Sequence, residues 1–206
     1  MSLSAPTYLR DIGPIALLQV QPEALTGERN RVGYYDPTPL LVVPELLISA
    51  EGIIGITAEG REVLDVHHTA HRRSANSGGV NGISLGVSSH YRALRERFGE
   101  QITDGIAGEN IIVAYDGILT PAEAKPGLAI QSSASGDFAS LINVLVATPC
   151  IEFTQFAANA GRPMALADLK AALQFLNHGR RGFYATLAGA ETVRIRTGDR
   201  VFVVDA

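Results

Sequence analysis

The one cysteine of this 206-residue chain, Cys150, follows Pro149 at the end of the apolar run "ASLINVLVATPC". As a thiolate, a cysteine is a nucleophile and a soft ligand. It suits a transition metal or the transport of a sulfur atom. As a thiol it more often fills a buried site as a small hydrophobe. Its position favours presentation. Pro149 has no N–H and ends ladder pairing, so the next residue is placed to leave the sheet at its rim.

Three other groups of residues have chemistry to offer. Of five histidines, His67, His68 and His71 fall within five residues, with Asp65 just before them. Such a group could hold a metal or an anion, or move protons near neutral pH; it could equally be a polar loop. Arg180 and Arg181 follow a helical pattern. Their planar guanidinium groups suit a phosphate or a carboxylate, or complement the end of the helix. Gly108-Glu109-Asn110 opens "GENIIV", on residue grounds a turn that feeds a strand. No Walker-type phosphate loop, G-x-G-x-x-G, G-x-S-x-G or H-E-x-x-H is present. With one cysteine, a cysteine-built zinc site is excluded.

The elements that must position these residues are mostly strands. "PIALLQVQP" (14–22), "PLLVVPELLISAEGIIGIT" (39–57) and "REVLDVHH" (61–68) are apolar or alternating, with Gly, Pro and Asp between them. Pro44 breaks the second run into two strands or an edge. A polar loop is expected over 67–82. A short helix is expected over 89–98, capped by Ser88 or Ser89 and ended by Gly99. Further strands are expected at "NIIVAY", around the Ser135-Gly136-Asp137 turn, at "ASLINVLVAT" and three times in the tail. "MALADLKAALQFLNHG" (164–179) has helical spacing, with Gly179 as its cap. Many short strands and few helices predict a barrel or sandwich rather than a parallel α/β sheet.

Composition narrows the class. Apolar residues make up 46% and charged residues 18%, with a net charge of −4. No basic block marks a nucleic-acid or anionic-membrane partner. No apolar run reaches the roughly 18 residues that span a membrane. The N-terminal stretch lacks the charged start and long apolar centre of a signal peptide. One cysteine makes no intrachain disulfide, which agrees with a reducing compartment. A cytoplasmic location is expected.

Taken in order, the features resemble the MOSC domain, the C-terminal domain type of molybdenum-cofactor sulfurases. The carriers are "EGIIGI" (51–56), "LDVHH" (64–68), "GISLGVSSHYRAL" (82–94), "GIAGENIIV" (105–113), "VATPC" and "GRRGFYATLAGAETVRIRTGDRVFV" (179–203). The chain departs from the family's Gly-Leu-x-Gly-Asp, with Gly52-Ile53-Ile54-Gly55-Ile56 in its place. It also matches the His-Gly-Gly-x-Asp-Arg loop only loosely. The resemblance implies a mainly β protein: a closed β-barrel of the MOSC and pyruvate-kinase barrel-domain type, with a few peripheral helices. One domain is expected over 1–206, with residues 1–50 completing or flanking a core at 51–206.

The resemblance also implies molybdenum cofactor (molybdopterin) as the cofactor, with Cys150 as metal ligand and catalytic residue. Asn110, Arg180, Arg181, His67 and His68 would hold the pterin phosphate or the oxo groups. The expected partners are a small, N-hydroxylated or similar substrate and an electron-donor protein. A second class of function uses the same cysteine as a persulfide in a non-enzymatic sulfur or cofactor carrier. A third is a barrel that has kept the fold and lost the chemistry.

Overall fold

The computed structural model describes residues 9–76, 78–158 and 164–204. The first eight residues, part of the stretch weighed as a signal peptide, lie outside the described residues. Fourteen strands and four helices are assigned among the described residues.

Seven strands close a barrel. β1 (Leu9–Val20) pairs with β9 (Ile111–Val113), and β9 with β8 (Ile83–Val87). The ring runs on through β12 (Phe183–Leu187), β11 (Phe138–Val146), β10 (Leu128–Gln131) and β14 (Arg200–Val204). β14 pairs with β1, from Leu9↔Val204 to Pro14↔Arg200, and this shuts the ring. Every neighbour pair is antiparallel except β8–β9. α1 (Ser88–Phe98) and the segment 99–110 make the crossover between those two.

The barrel is filled by aliphatic side chains that alternate inward, such as Leu18, Leu85, Val113, Leu128 and Val201, each 1% exposed or less. Such burial contributes about 25 cal/mol per Å² of apolar surface, and here it favours one closed core over an open sheet.

A smaller sheet, ordered β13-β5-β6-β7, is built from β5 (Glu45–Ser49), β6 (Gly52–Ile56), β7 (Glu62–Leu64) and β13 (Val193–Arg196). β4 (Leu41–Val42) joins the end of β1. Pro44 separates β4 from β5, as its missing N–H predicts. β2 (Thr26–Arg29) and β3 (Val32–Tyr35) form a separate hairpin. Thus β1 (Leu9–Val20) belongs to the barrel wall and β5 (Glu45–Ser49) to the second sheet.

Three helices lie outside the barrel wall. α1, α3 (Ile151–Ala157) and α4 (Leu166–Leu176) enclose a second apolar cluster that holds Tyr91, Leu94, Ile102, Phe153 and Leu176. The short α2 (Pro121–Ala124) has a capping box formed by Thr120 and Glu123.

Several local expectations are corrected. α1 has no side-chain cap: the residue at its start is Val87. Ser88 and Ser89 instead donate from Oγ to the carbonyls of Tyr115 and Gly117, at 3.1 and 2.5 Å, tying the helix to the chain after β9. α4 ends at Leu176 and is capped by Asn177, before Gly179. Gly179 has φ +89° within a tight turn that also holds His178 at +59° and Gly182 at +93°. The strand expected to run to Pro149 stops at Val146, and the chain turns into α3.

Candidate functional site

Cys150 is the cap residue of α3, in extended backbone just before the first turn. Its Sγ accepts from the Phe153 N–H at 3.4 Å. Its carbonyl accepts from the Thr154 N–H at 3.1 Å and the Thr154 hydroxyl at 2.6 Å. The thiol is half-buried at the edge of the outer cluster. Thus the cysteine does leave the sheet, and it enters a helix on the barrel's outer wall.

Arg181 lies over the same helix. Its guanidinium stacks on the Phe153 ring at 4.9 Å. Nη1 donates to Glu109 Oε1 at 3.1 Å, and Nη2 donates to the Ala107 carbonyl. Its Nε is buried and has no partner among the described residues. Burial works against the positive charge. The Glu109 carboxylate and nearby phenols more than offset this, and the Arg181 pKa is raised.

Glu109, 2% exposed, is the counter-ion. Tyr91 donates its hydroxyl to Glu109 Oε2 and accepts from the Ala107 N–H at 3.2 Å. Burial, then the Glu109 charge, pushes the Tyr91 pKa well up. Tyr35 donates to the Ile106 carbonyl at 2.8 Å. Burial raises its pKa; Arg181 opposes this, while Glu109 and Cys150 add to it. Tyr35 and Arg181 thus both meet the Phe153 ring, at 5.1 and 4.9 Å.

The 105–110 segment holds this arrangement. Gln19 Nε2 donates to the carbonyls of Gly105 and Glu109, at 2.7 and 2.8 Å. Gln21 Nε2 donates to the Gly108 carbonyl at 2.5 Å. Gly108 has φ +97°, and a Cβ there would lie 2.8 Å from Gln21 Nε2. That position needs glycine both for its backbone and for the close approach.

Asn110 points to a different neighbourhood. It is 1% exposed. Its Oδ1 accepts from the Ser84 N–H and hydroxyl at 3.1 and 2.7 Å. Its Nδ2 donates to the Gln19 carbonyl at 3.2 Å and to Asp65 Oδ2 at 2.8 Å. The amide is fully used in joining β1, β8 and β9. Asp65 also accepts from the backbone of Gln21 and His67, at 2.8 and 2.9 Å. His67 Nδ1 lies 3.0 Å from Asp65 Oδ1. A carboxylate oxygen accepts, so His67 Nδ1 donates to Asp65, which fixes the ring.

His68 is buried, and its Nδ1 accepts from the Ala70 N–H at 3.1 Å. His71 Nε2 lies 3.1 Å from the Pro22 carbonyl. No three metal-ligating side chains converge among the described residues. Arg180 stacks on Phe175 at 4.5 Å and donates to its carbonyl at 2.8 Å, so it serves the end of α4.

Of the residues read from the sequence, Cys150 and Arg181 come together around Phe153. Asn110 and His67 come together around Asp65. His68 and Arg180 join neither group. Sequence reasoning noted Glu109 only as part of the Gly108-Glu109-Asn110 turn and gave no site role to Glu109, Tyr91 or Tyr35. Glu109 had a signal, a charged residue two positions before a wholly apolar strand. Tyr35 had none.

The sequence profile of the MOSC domain matches residues 76–202. No curated protein sequence matches this chain. The crystal structure of the YuaD protein from Bacillus subtilis is similar, with a TM-score of 0.58 at 15% identity, over 95% of this chain and 98% of that one. The crystal structure of a hypothetical protein gives 0.54 at 15% identity, over 94% of this chain and 68% of that one. At these identities the two structures show a shared fold. The profile spans well over half of the sequence, and it includes the glycine-rich turn, Cys150 and Arg181. The chain belongs to the MOSC domain family.

Proposed function

We propose that this MOSC domain binds the molybdenum cofactor through Cys150. It would act as a small oxidoreductase component on N-hydroxylated or similar small substrates. The observation that carries this reading is the setting of the thiol. Cys150 is half-buried and bonded to Phe153, whose ring carries a buried guanidinium with no partner for its Nε among the described residues. A thiolate is the soft donor that such a metal takes. An orphaned cationic donor over the Phe153 ring fits an anionic oxygen of the bound group. The residues present therefore fit the cofactor.

In this reading Cys150 is the metal ligand. Arg181, fixed by Glu109 and Phe153, donates from Nε to an oxo or phosphate oxygen. His67, oriented by Asp65, would help to hold a phosphate or oxo oxygen of the bound group. Asn110 acts indirectly, by holding Asp65. When bound, the metal would supply a two-electron redox centre with an open position for substrate. An electron-donor protein would complete the cycle.

Molybdenum and pterin content, measured on protein from a host that makes the cofactor, tests the reading. The expected outcome is metal in the wild type and none in Cys150→Ala, with the circular dichroism unchanged. Equal metal in both proteins sinks it. A mass gain of one sulfur on Cys150 with no metal would favour the persulfide carrier.

A further inference from the structure

The β2–β3 hairpin takes no part in either larger sheet, and none of its eight residues is buried. An isolated two-stranded hairpin is marginally stable by itself. Something outside it must hold it in place. Its outer face carries Val32 and Tyr34, 55% and 45% exposed. Its inner face carries Gly33 and Tyr35, which lie against the first turn of α3. A Cβ on Gly33 would lie 2.8 Å from Glu152 Oε1. The Tyr35 ring packs on Phe153 at 5.1 Å and on Phe156 at 5.2 Å. Its hydroxyl bonds to Ile106, at the start of the segment that positions Glu109. Glu152 and Phe153 lie two and three residues after Cys150.

We infer that this hairpin is a strap across the Cys150 turn, with Tyr35 as its latch, and that its release sets access to the thiol. The inference rests on the reading of Cys150 as a functional thiol. Among the described residues the strap is held by one side-chain hydrogen bond, two ring contacts and the close approach of Gly33. The barrel beneath is held by whole strand ladders. Local opening draws on the weakest such unit, so the hairpin lifts well before the barrel unfolds. Lifting uncovers the Phe153 and Phe156 rings of the helix that Cys150 caps.

The test is the rate at which N-ethylmaleimide alkylates Cys150 in the full chain without added metal, followed by mass spectrometry. Tyr35→Phe removes the hydroxyl bond and keeps the ring. It should react about fivefold faster, the factor that one net hydrogen bond represents. Tyr35→Ala should be faster still, and Tyr34→Ala, altered on the outer face, should match the wild type. A wild-type rate in both Tyr35 variants overturns the inference, as does equal acceleration by Tyr34→Ala. Should Tyr35→Ala fail to fold, amide exchange in Tyr35→Phe decides. Faster exchange confined to 26–35 supports the strap, and a uniform rise across β1 and β8 overturns it. Alkylation needs no molybdenum, so this outcome is independent of the metal analysis of Cys150→Ala.

Discussion

His90 sits in the first turn of α1 with its ring 5% exposed and its Nδ1 without a partner among the described residues. Burial pushes its pKa down to about 4; the Gly179 backbone opposes this, and the Arg180 charge adds to it. The folded protein therefore keeps His90 neutral where the unfolded chain protonates it. Between about pH 6.5 and pH 4 the unfolded state binds the extra proton, so stability falls as the pH falls through that window. The loss contributed by this one group approaches ~3 kcal/mol. Urea midpoints at pH 7, 6 and 5 should decline in the wild type, and the slope should flatten in His90→Gln. An unchanged slope would remove His90 from the account. The same physics explains what could be read at single positions. Cys150 and Arg181 stood out because thiols and paired arginines are chemically conspicuous. Tyr35 and Tyr91 did not, because a tyrosine's role depends on the ring and carbonyl it meets. Those partners come from distant parts of the chain.

At the scale of elements, most strands were legible and the outer helices less so. The barrel strands announce themselves by apolar runs between turn residues, and Pro44 marked its break correctly. α3 was not visible because "CIEFTQFA" mixes β-type and helical residues over only two turns. What makes it helical is Phe153 and Ala157 reaching the outer cluster, a tertiary gain. The caps expected for α1 failed for a related reason: its serines are committed to the carbonyls that follow β9. The turn from α4 to β12 makes a sharper demand. Gly182 has φ +93°, and a Cβ there would lie 2.7 Å from the Leu85 carbonyl and 3.1 Å from Glu109. Gly182→Ala should cost more than about 1 kcal/mol in a thermal or urea melt, because the backbone is strained and the neighbours are fixed. It should also disturb the Arg181–Glu109 pair, whereas Gly189→Ala, with nothing near it, should carry only the backbone strain of its φ of +91°. Equal losses in the two variants would mean that the contacts beside Gly182 do not matter.

For the whole molecule, closure between the first and last strands decides whether there is a barrel at all. β14 pairs with both β1 and β10, so its removal would leave two open edges. Deleting residues 200–206 should abolish cooperative unfolding and drive the protein into aggregates on size exclusion; a monodisperse, cooperatively melting product would contradict this. Among the described residues no helix is long and apolar enough to cross a membrane. A final consequence follows from counting strand directions. In a ring whose neighbours all run opposite ways, directions alternate, so the number of strands must be even. This ring has seven, and an odd ring can close only where two neighbours run the same way. That place is β8–β9. A same-way pair cannot be joined by a tight turn; the chain must travel back over the outside of the wall. Tyr91 and Glu109 both lie on that return path. The odd number of strands thus obliges the chain to lay down, against the barrel, the stretch that supplies the guanidinium's anchor.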